Sequence, residues 1–192
     1  MAHKFDVKDV AKLDSPMRRE RIPPEATLRK MGLQEGMLVA DVGCGAGYFA
    51  IPAAKMVGEK GRVWALDLSQ GMLDELVRKN PPRNLTVRLC GEADLPLEDA
   101  SADVVLVAFV LHEVTRREEF LREIRRIMRP GAQVAVIDWK KQEEEKGPPK
   151  SERLSLDDAK KCLAEAGFVI RRAERLNQSH YAVIADRERS EE

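Results

Sequence analysis

The chain has no excess of either charge. Lys plus Arg and Asp plus Glu both number 33 in 192 residues, so the formal net charge is zero. That balance excludes the broad basic footprint of a general nucleic-acid or anionic-membrane binder. Long apolar runs are also missing. The longest, residues 104–111, is far too short to span a bilayer. The first residues, Met1-Ala2-His3-Lys4-Phe5-Asp6, contain no apolar stretch of the kind a secretory signal needs. Cysteine is scarce: Cys44, Cys90 and Cys162 are odd in number and lack Cys-x-x-Cys or metal-ligand spacing. They read as reduced thiols, with no metal site and no disulfide framework. Internal repeats and low-complexity tracts are lacking too. The expectation is a cytoplasmic protein with one domain and a sizeable core. Its charged fraction of 34% is above the usual quarter and hints at surface ion pairs and a thermophilic source.

What the chain does have centres on residues 39–47, Val-Ala-Asp-Val-Gly-Cys-Gly-Ala-Gly. A short apolar run holding one acid, Asp41, leads into Gly43, Gly45 and Gly47. A helical pattern of Phe49, Ala50, Ala53, Met56 and Val57 follows. This reads as strand, tight turn and helix. Glycine suits a backbone that takes positive φ or lets a ligand approach without a Cβ in the way. The spacing is not the dinucleotide fingerprint Gly-x-Gly-x-x-Gly, because Tyr48 fills the third slot. A bare structural turn is the alternative.

Charges and scattered apolar residues (Phe5, Val7, Val10, Leu13, Met17, Ile22) up to residue 23 predict a flap or lid. A core over 24–186 and a frayed tail at 187–192 complete the domain. Pro23-Pro24 opens a helix over 25–31, stopped by Gly32. The second strand, 63–68, contains Asp67 near its end, and Ser69 caps a helix burying Met72, Leu73, Leu76 and Val77 on one face. Leu85, Val87 and Leu89 alternate as a third strand before Gly91-Glu92. Residues 104–110 are continuously apolar, as in a central parallel strand, with His112-Glu113 directly after. A helix over 116–128 stops at Arg129-Pro130-Gly131. The fifth strand, 132–137, leads into Asp138-Trp139. Residues 140–153 are a charged connection without a core pattern. Ser155 caps a further helix, and strands 168–176 and 181–185 pair through a tight turn at 177–179. Alternating strands and helices make a doubly wound α/β sheet, whose ligands sit beyond the carboxyl ends of the strands. Each loop carrying a polar residue falls at such an end.

Asp67 lies 20 residues beyond Gly47, where an acid can accept from both hydroxyls of a ribose. Leu68 and Met72 can flank an adenine face, and Glu92-Ala93 reach its edge. The alternatives are a helix-capping acid for Asp67 and a solvated loop acid for Glu92.

At these residues the chain resembles the class I S-adenosylmethionine-dependent methyltransferases, in particular the ubiquinone/menaquinone-biosynthesis type and its small prokaryotic relatives. The resemblance rests on residues 39–47, Leu66-Asp67-Leu68-Ser69, residues 91–97, Leu111-His112-Glu113-Val114 and residues 125–131. It implies a Rossmann-like, doubly wound seven-stranded sheet of order 3-2-1-4-5-7-6, the last strand antiparallel, with helices on both faces. It also implies S-adenosylmethionine as cofactor and S-adenosylhomocysteine as product. Asp41, Gly43, Gly45 and Gly47 would line the methionine part, and Asp67 would hold the ribose. Glu92 and Ala93 would meet the adenine, and the backbone of Ala108 or Phe109 would accept from the amino group.

Methyl transfer needs alignment and a dry pocket, and a base only where the acceptor must lose a proton. His112 is the first candidate, with Glu113 and Asp138 as alternates; an ordinary loop histidine is the competing reading. His3 and His180 read as surface residues. Trp139 either walls an acceptor pocket or covers the sheet. The acceptor pocket is expected at residues 112–113, 138–139 and 140–153, and the acceptor is a small molecule, aromatic or lipid-like. After the fourth strand, Phe109-Val110-Leu111-His112 replaces the Asn/Asp-Pro-Pro-aromatic motif of amide-nitrogen and base methyltransferases. The cysteines do not suit arsenite chemistry, and the stretch from Asp67 to Leu85 is short for the family. The rival functions are a nicotinamide oxidoreductase and a non-catalytic cofactor-binding protein. Acceptor identity and oligomeric state are left open, an oligomer included.

Overall fold

The computed structural model describes residues 15–187. Helix α1 spans Pro16–Arg21 and α2 spans Pro24–Lys30. Then come β1 (Leu38–Val42), α3 (Ala50–Val57), β2 (Arg62–Asp67), α4 (Gln70–Arg78), β3 (Leu85–Leu89) and β4 (Ala102–Ala108). The chain continues through α5 (Arg117–Ile127), β5 (Met128–Trp139), α6 (Leu156–Glu165), β6 (Phe168–Arg175) and β7 (His180–Arg187). The seven strands form one sheet in the order β3-β2-β1-β4-β5-β7-β6. The first five are parallel, and β7 runs antiparallel to both β5 and β6. This is the expected topology, with the closing hairpin where the tight turn placed it.

Period-two alternation sorts the strand residues onto two faces. One face gathers Val39, Val63, Ala65, Val104, Leu106, Ala108 and Ile137, with Ala53 and Val57 of α3 packed against them. The other gathers Ala40, Val42, Val105, Val107 and Val136 under Phe120, Leu121, Ile124 and Ile127 of α5. Those four residues of α5 repeat at helical spacing and bury one stripe of an otherwise charged helix. Ser69 caps α4 by accepting from Met72 N–H, and Ser155 with Asp158 forms a reciprocal capping box on α6. Pro52 is tolerated in the first turn of α3, where its missing N–H costs nothing.

Two local departures from the sequence expectation matter. No gap separates α5 from β5: the strand begins at Met128. Residues 129–132 bulge out between the register pairs Ala102↔Met128 and Val104↔Gln133, which gives Pro130 a place where no ladder N–H is needed. The apolar run 104–110 also does not stay extended. β4 ends at Ala108, and Phe109 turns to φ +62° after its N–H bonds Ile137 C=O at 2.7 Å. A bulky residue in the left-handed region costs about 1–2 kcal/mol. That strain sits at the rim where the site was expected.

Of the predicted lid, residues 1–14 lie outside the described residues, and His3 with them. Residues 15–23 do not float over the domain. Ile22 is buried in the first core, Tyr48 Oη donates to Ile22 C=O at 2.6 Å, and Asn177 Nδ2 donates to Arg21 C=O at 2.9 Å. Among the described residues no helix is long and apolar enough to cross a membrane.

Candidate active site

β1 and β2, side by side in parallel register, carry Asp41 and Asp67 to the same rim of the sheet. The loop between β1 and α3 wraps over them. Gly43 and Gly47 both have positive φ. A Cβ on Gly43 would lie 2.2 Å from Val110 Cγ2, and one on Gly47 would lie 2.9 Å from Leu76 Cγ. The protein's own packing therefore already demands these two glycines.

The carboxylates beneath the loop are what point to a ligand. Asp41 is 2% exposed, and its Oδ2 is buried without a hydrogen-bond partner among the described residues. Burial, followed by the charge of Asp67, raises its pKa to about 7 despite an N–H from Ala50 and the nearby Arg18. Asp67 accepts from Gly45 N–H (2.7 Å) with Oδ2 and from Ser69 N–H (2.9 Å) with Oδ1. The capping itself is done by Ser69, and Asp67 holds the N–H of that cap residue. An ionised carboxylate offers about four lone-pair sites, so room remains for two hydroxyl donors. Burial raises its pKa as well, against the pull of those N–H groups. Leu68 is one of the few large apolar side chains left exposed, at 44%, whereas Met72 is buried.

Glu92 has protein partners of its own. Its carboxylate accepts from Thr115 Oγ1 at 2.8 and 3.0 Å and from Arg116 N–H at 2.8 Å. It thus ties the loop after β3 to the loop after β4, and Ala93 lies in that same tied loop. Although burial works the other way, those hydrogen bonds hold Glu92 below its ordinary value.

His112, Glu113 and Asp138 come together although 26 residues separate the histidine from the aspartate. His112 is buried, its Nδ1 lies 2.7 Å from Asp138 Oδ1, and its backbone N–H reaches Asp138 Oδ2 at 3.2 Å. Asp138, fully buried, also accepts from Trp139 N–H at 2.8 Å. The other ring nitrogen of His112 is 3.8 Å from Glu113 Oε1. Burial lowers the pKa of His112, but the hydrogen bond and charge of Asp138, with Glu113 and Glu152 beyond, raise it overall.

Trp139 is not in this group. Asp138 opposes Tyr181 and Trp139 opposes His180 across the β5–β7 ladder, so the two neighbours face opposite sides of the sheet. Trp139 packs with Phe109 and His180, at centroid distances of 5.7 and 4.4 Å, and His180 stands edge-on to Phe109 at 5.2 Å. Arg18 lies over Phe109 at 5.1 Å and over Tyr48 at 4.2 Å. His180, expected on the surface, is 4% exposed. β7 is buried on both faces, and His180 begins it in phase with Ala182 and Ile184.

The connection over 140–153, which showed no core pattern, is organised by Arg153. Its buried side chain donates to the carbonyls of Pro148, Lys140 and Lys146, pairs with Glu144, and lies 5.0 Å from the Trp139 ring. Glu144 also accepts from Ser179 Oγ. A lone arginine in a charged stretch carries no sequence signal for such burial. Among the described residues no cluster of three or more His, Cys, Asp or Glu side chains is placed to hold a metal, and the three cysteines are free thiols.

A family profile for the methyltransferase domain matches residues 40–136, half of the chain. The chain belongs to the S-adenosylmethionine-dependent methyltransferases. A crystal structure of such a methyltransferase from Aquifex aeolicus is 39% identical, covers 96% of this chain and all of its own, and superposes with a TM-score of 0.91. Among curated relatives, a ubiquinone/menaquinone biosynthesis C-methyltransferase from Cupriavidus taiwanensis is 35% identical over 119 residues, covering 60% of this chain and 48% of its own. A demethylmenaquinone methyltransferase from Listeria welshimeri is 36% identical over 115 residues, 58% of this chain and 49% of its own. The chain thus spans about half the length of the curated relatives it matches. The matched residues include the methyltransferase's glycine loop, Asp67, Glu92 and His112. The nicotinamide-oxidoreductase alternative gains no support from these relatives.

Proposed function

We propose that this protein transfers the methyl group of S-adenosylmethionine to a small aromatic acceptor bearing a hydroxyl, of the quinol class that the curated relatives' names suggest. The observation that carries the cofactor part is the buried Oδ2 of Asp41, a carboxylate oxygen without a partner under the glycine loop. Such an atom fits a donor brought by a ligand, and a methionine ammonium is one.

Asp67 accepts the ribose hydroxyls on its remaining lone pairs, and Leu68 and Met72 border the adenine face. Ala93 and Glu92 border its edge, with Glu92 keeping its bonds to Thr115 and Arg116. The carbonyls of Ala108 and Phe109 accept from the amino group, at the point where the turned Phe109 backbone leaves β4. Bound S-adenosylmethionine supplies a methyl group already activated on a sulfonium.

On the acceptor side, Asp138 holds His112 Nδ1–H, which leaves the ring's lone pair on Nε2. His112 takes the hydroxyl proton there, and Asp138 stabilises the imidazolium that results. Glu113 adds negative charge beside the same nitrogen. Residues 15–23, anchored through Ile22 and laid over Tyr48 and Phe109 through Arg18, cover that rim and keep water out. A cytoplasmic location agrees with this small-molecule chemistry.

Calorimetric titration tests the reading. S-adenosylhomocysteine should bind and NAD should not, and Asp67→Ala should weaken binding by about 1–3 kcal/mol. Nicotinamide binding of comparable strength overturns the proposal. With S-adenosylmethionine and a panel of naphthalenediols and phenols, formation of S-adenosylhomocysteine should appear; its absence with every hydroxylated ring removes the acceptor class.

A further inference from the structure

The second buried histidine has a use that the proton-transfer reading leaves untouched. Asn177 Oδ1 lies 2.9 Å from Ser179 N–H, 2.9 Å from His180 N–H and 3.0 Å from His180 Nδ1. Two backbone N–H groups identify that atom as the amide oxygen, since an amide nitrogen there would face two donors. The Asn177 Nδ2 donates in turn to Arg21 C=O. Nδ1 of His180 must therefore carry its hydrogen, and in the neutral ring Nε2 is left as a bare lone pair.

The ring also has every reason to be neutral. Burial drives its pKa down to about 4, with Arg18, Arg21 and Arg153 pushing the same way and Glu144 opposing. Among the described residues Nε2 has no hydrogen-bond partner, and it is not sealed in as Asp41 Oδ2 is. The ring's companions are the faces and edges of Phe109 and Trp139 at the carboxyl ends of β4 and β5.

We infer that His180 is a substrate-recognition residue whose Nε2 accepts a hydrogen bond from a hydroxyl of an aromatic methyl acceptor held against Phe109 and Trp139. It rests on the methyl-transfer reading for the purpose of that aromatic cluster, and it assigns a binding role to a residue distinct from His112. His112, held by Asp138, removes a proton. His180, held by Asn177, only reads one, because a ring that resists protonation is a poor base but a sound hydrogen-bond acceptor. Two histidines thus take different tasks from their environments, one beside a carboxylate and one beside an amide. Rings that lack a hydroxyl would leave Nε2 desolvated and unpaired, which is how such a site discriminates.

The test compares 1-naphthol with 1-methoxynaphthalene, which keeps the ring but lacks the donor, titrated into the full chain with S-adenosylhomocysteine present. Wild type should prefer 1-naphthol by about tenfold or more. His180→Phe should abolish that preference while holding 1-methoxynaphthalene within about twofold, since stacking survives. Equal affinities in wild type, or a preference that persists in His180→Phe, overturns the inference. The imidazole nitrogen resonances of wild type report independently, should the variant not fold. The Nδ1–H form is expected at pH 7, with the bare Nε2 resonance moving upfield as 1-naphthol is added. An Nε2–H ring, an imidazolium, or no movement overturns the assignment. S-adenosylhomocysteine is titrated alone first, so a failed cofactor reading shows there, separately from any failure in the naphthol pair.

Discussion

Replacing Asp41 by asparagine should stabilise the fold and cripple the cofactor site together. A buried acid whose pKa stands near 7 in the folded chain, against an ordinary 3.8, binds its proton more tightly folded than unfolded. Stability from this group is therefore present at low pH and is lost as pH rises from about 4 towards 7. Between pH 5 and pH 8 the loss covers roughly two pH units at about 1.4 kcal/mol each, or about 3 kcal/mol. Asparagine keeps an oxygen for the Ala50 N–H and cannot ionise. Asp41→Asn should thus gain about 3 kcal/mol on wild type between pH 5 and pH 8, a melting-temperature gap widening by about 10 °C. Subtracting the two proteins cancels the titrating groups that do not feel Asp41, His112 among them; Asp67, whose charge acts on Asp41, is the exception. Urea unfolding at both pH values reads the difference. The same variant should lose S-adenosylhomocysteine affinity, because an amide meets an ammonium less well than a carboxylate does. In wild type, cofactor binding near pH 7 should release protons, detectable as an enthalpy that changes with buffer. A stability difference that is the same at pH 5 and pH 8 would refute the buried-acid reasoning.

His112→Ala should lower turnover by about 10²-fold or more while leaving cofactor affinity near wild type, and steady-state kinetics with a hydroxylated acceptor checks both. Because Asp138 raises the His112 pKa, wild-type rate should climb with pH through a value above 6.5, and that limb should vanish in the variant. The stability that His112 gains from Asp138 runs the other way: it is full below 6.5 and fades as pH rises through the raised value. Arg153→Met should cost about 1–3 kcal/mol in denaturant unfolding, since three carbonyls and the partly buried Glu144 lose their donor. Unfolding within 1 kcal/mol of wild type would mean the connection is held by other contacts. Deleting residues 1–20 leaves Ile22 in the core, so the chain should fold and melt cooperatively yet retain S-adenosylhomocysteine less well. Loss of folding would show the segment to be structural.

The order of elements was legible because each strand and helix announces itself locally. A period of two or 3.6, a proline or glycine stop and a serine cap all act within a few residues, and these gave α4, α6 and the β6–β7 hairpin nearly to their ends. The acids at strand ends were legible for a topological reason: in a parallel sheet every β-to-α loop reaches the same rim. The Phe109 turn was missed because an apolar run looks the same extended or bent, and the β5 bulge because Arg129-Pro130-Gly131 reads locally only as a stop. Only the packing of Val110 onto Gly43 decides where the run must leave the sheet.

By itself, then, the sequence determined the doubly wound sheet, the glycine loop over Asp41, and which residues stand at the rim: His112, Asp138, Asp67 and Glu92. Tertiary structure alone decided what each of them touches. Asp138 meets His112 because β4 and β5 lie in register across a helix, and Trp139 turns to the other face with His180 through the strand's alternation. Grouping Asp138 with Trp139 followed the strand end, where alternation would have parted them. Glu92 spends its carboxylate on Thr115 and Arg116, and Arg153 is buried among carbonyls. A polar side chain can be buried only where distant backbone or charge satisfies it. That partner comes from another part of the chain, so no local pattern can record it.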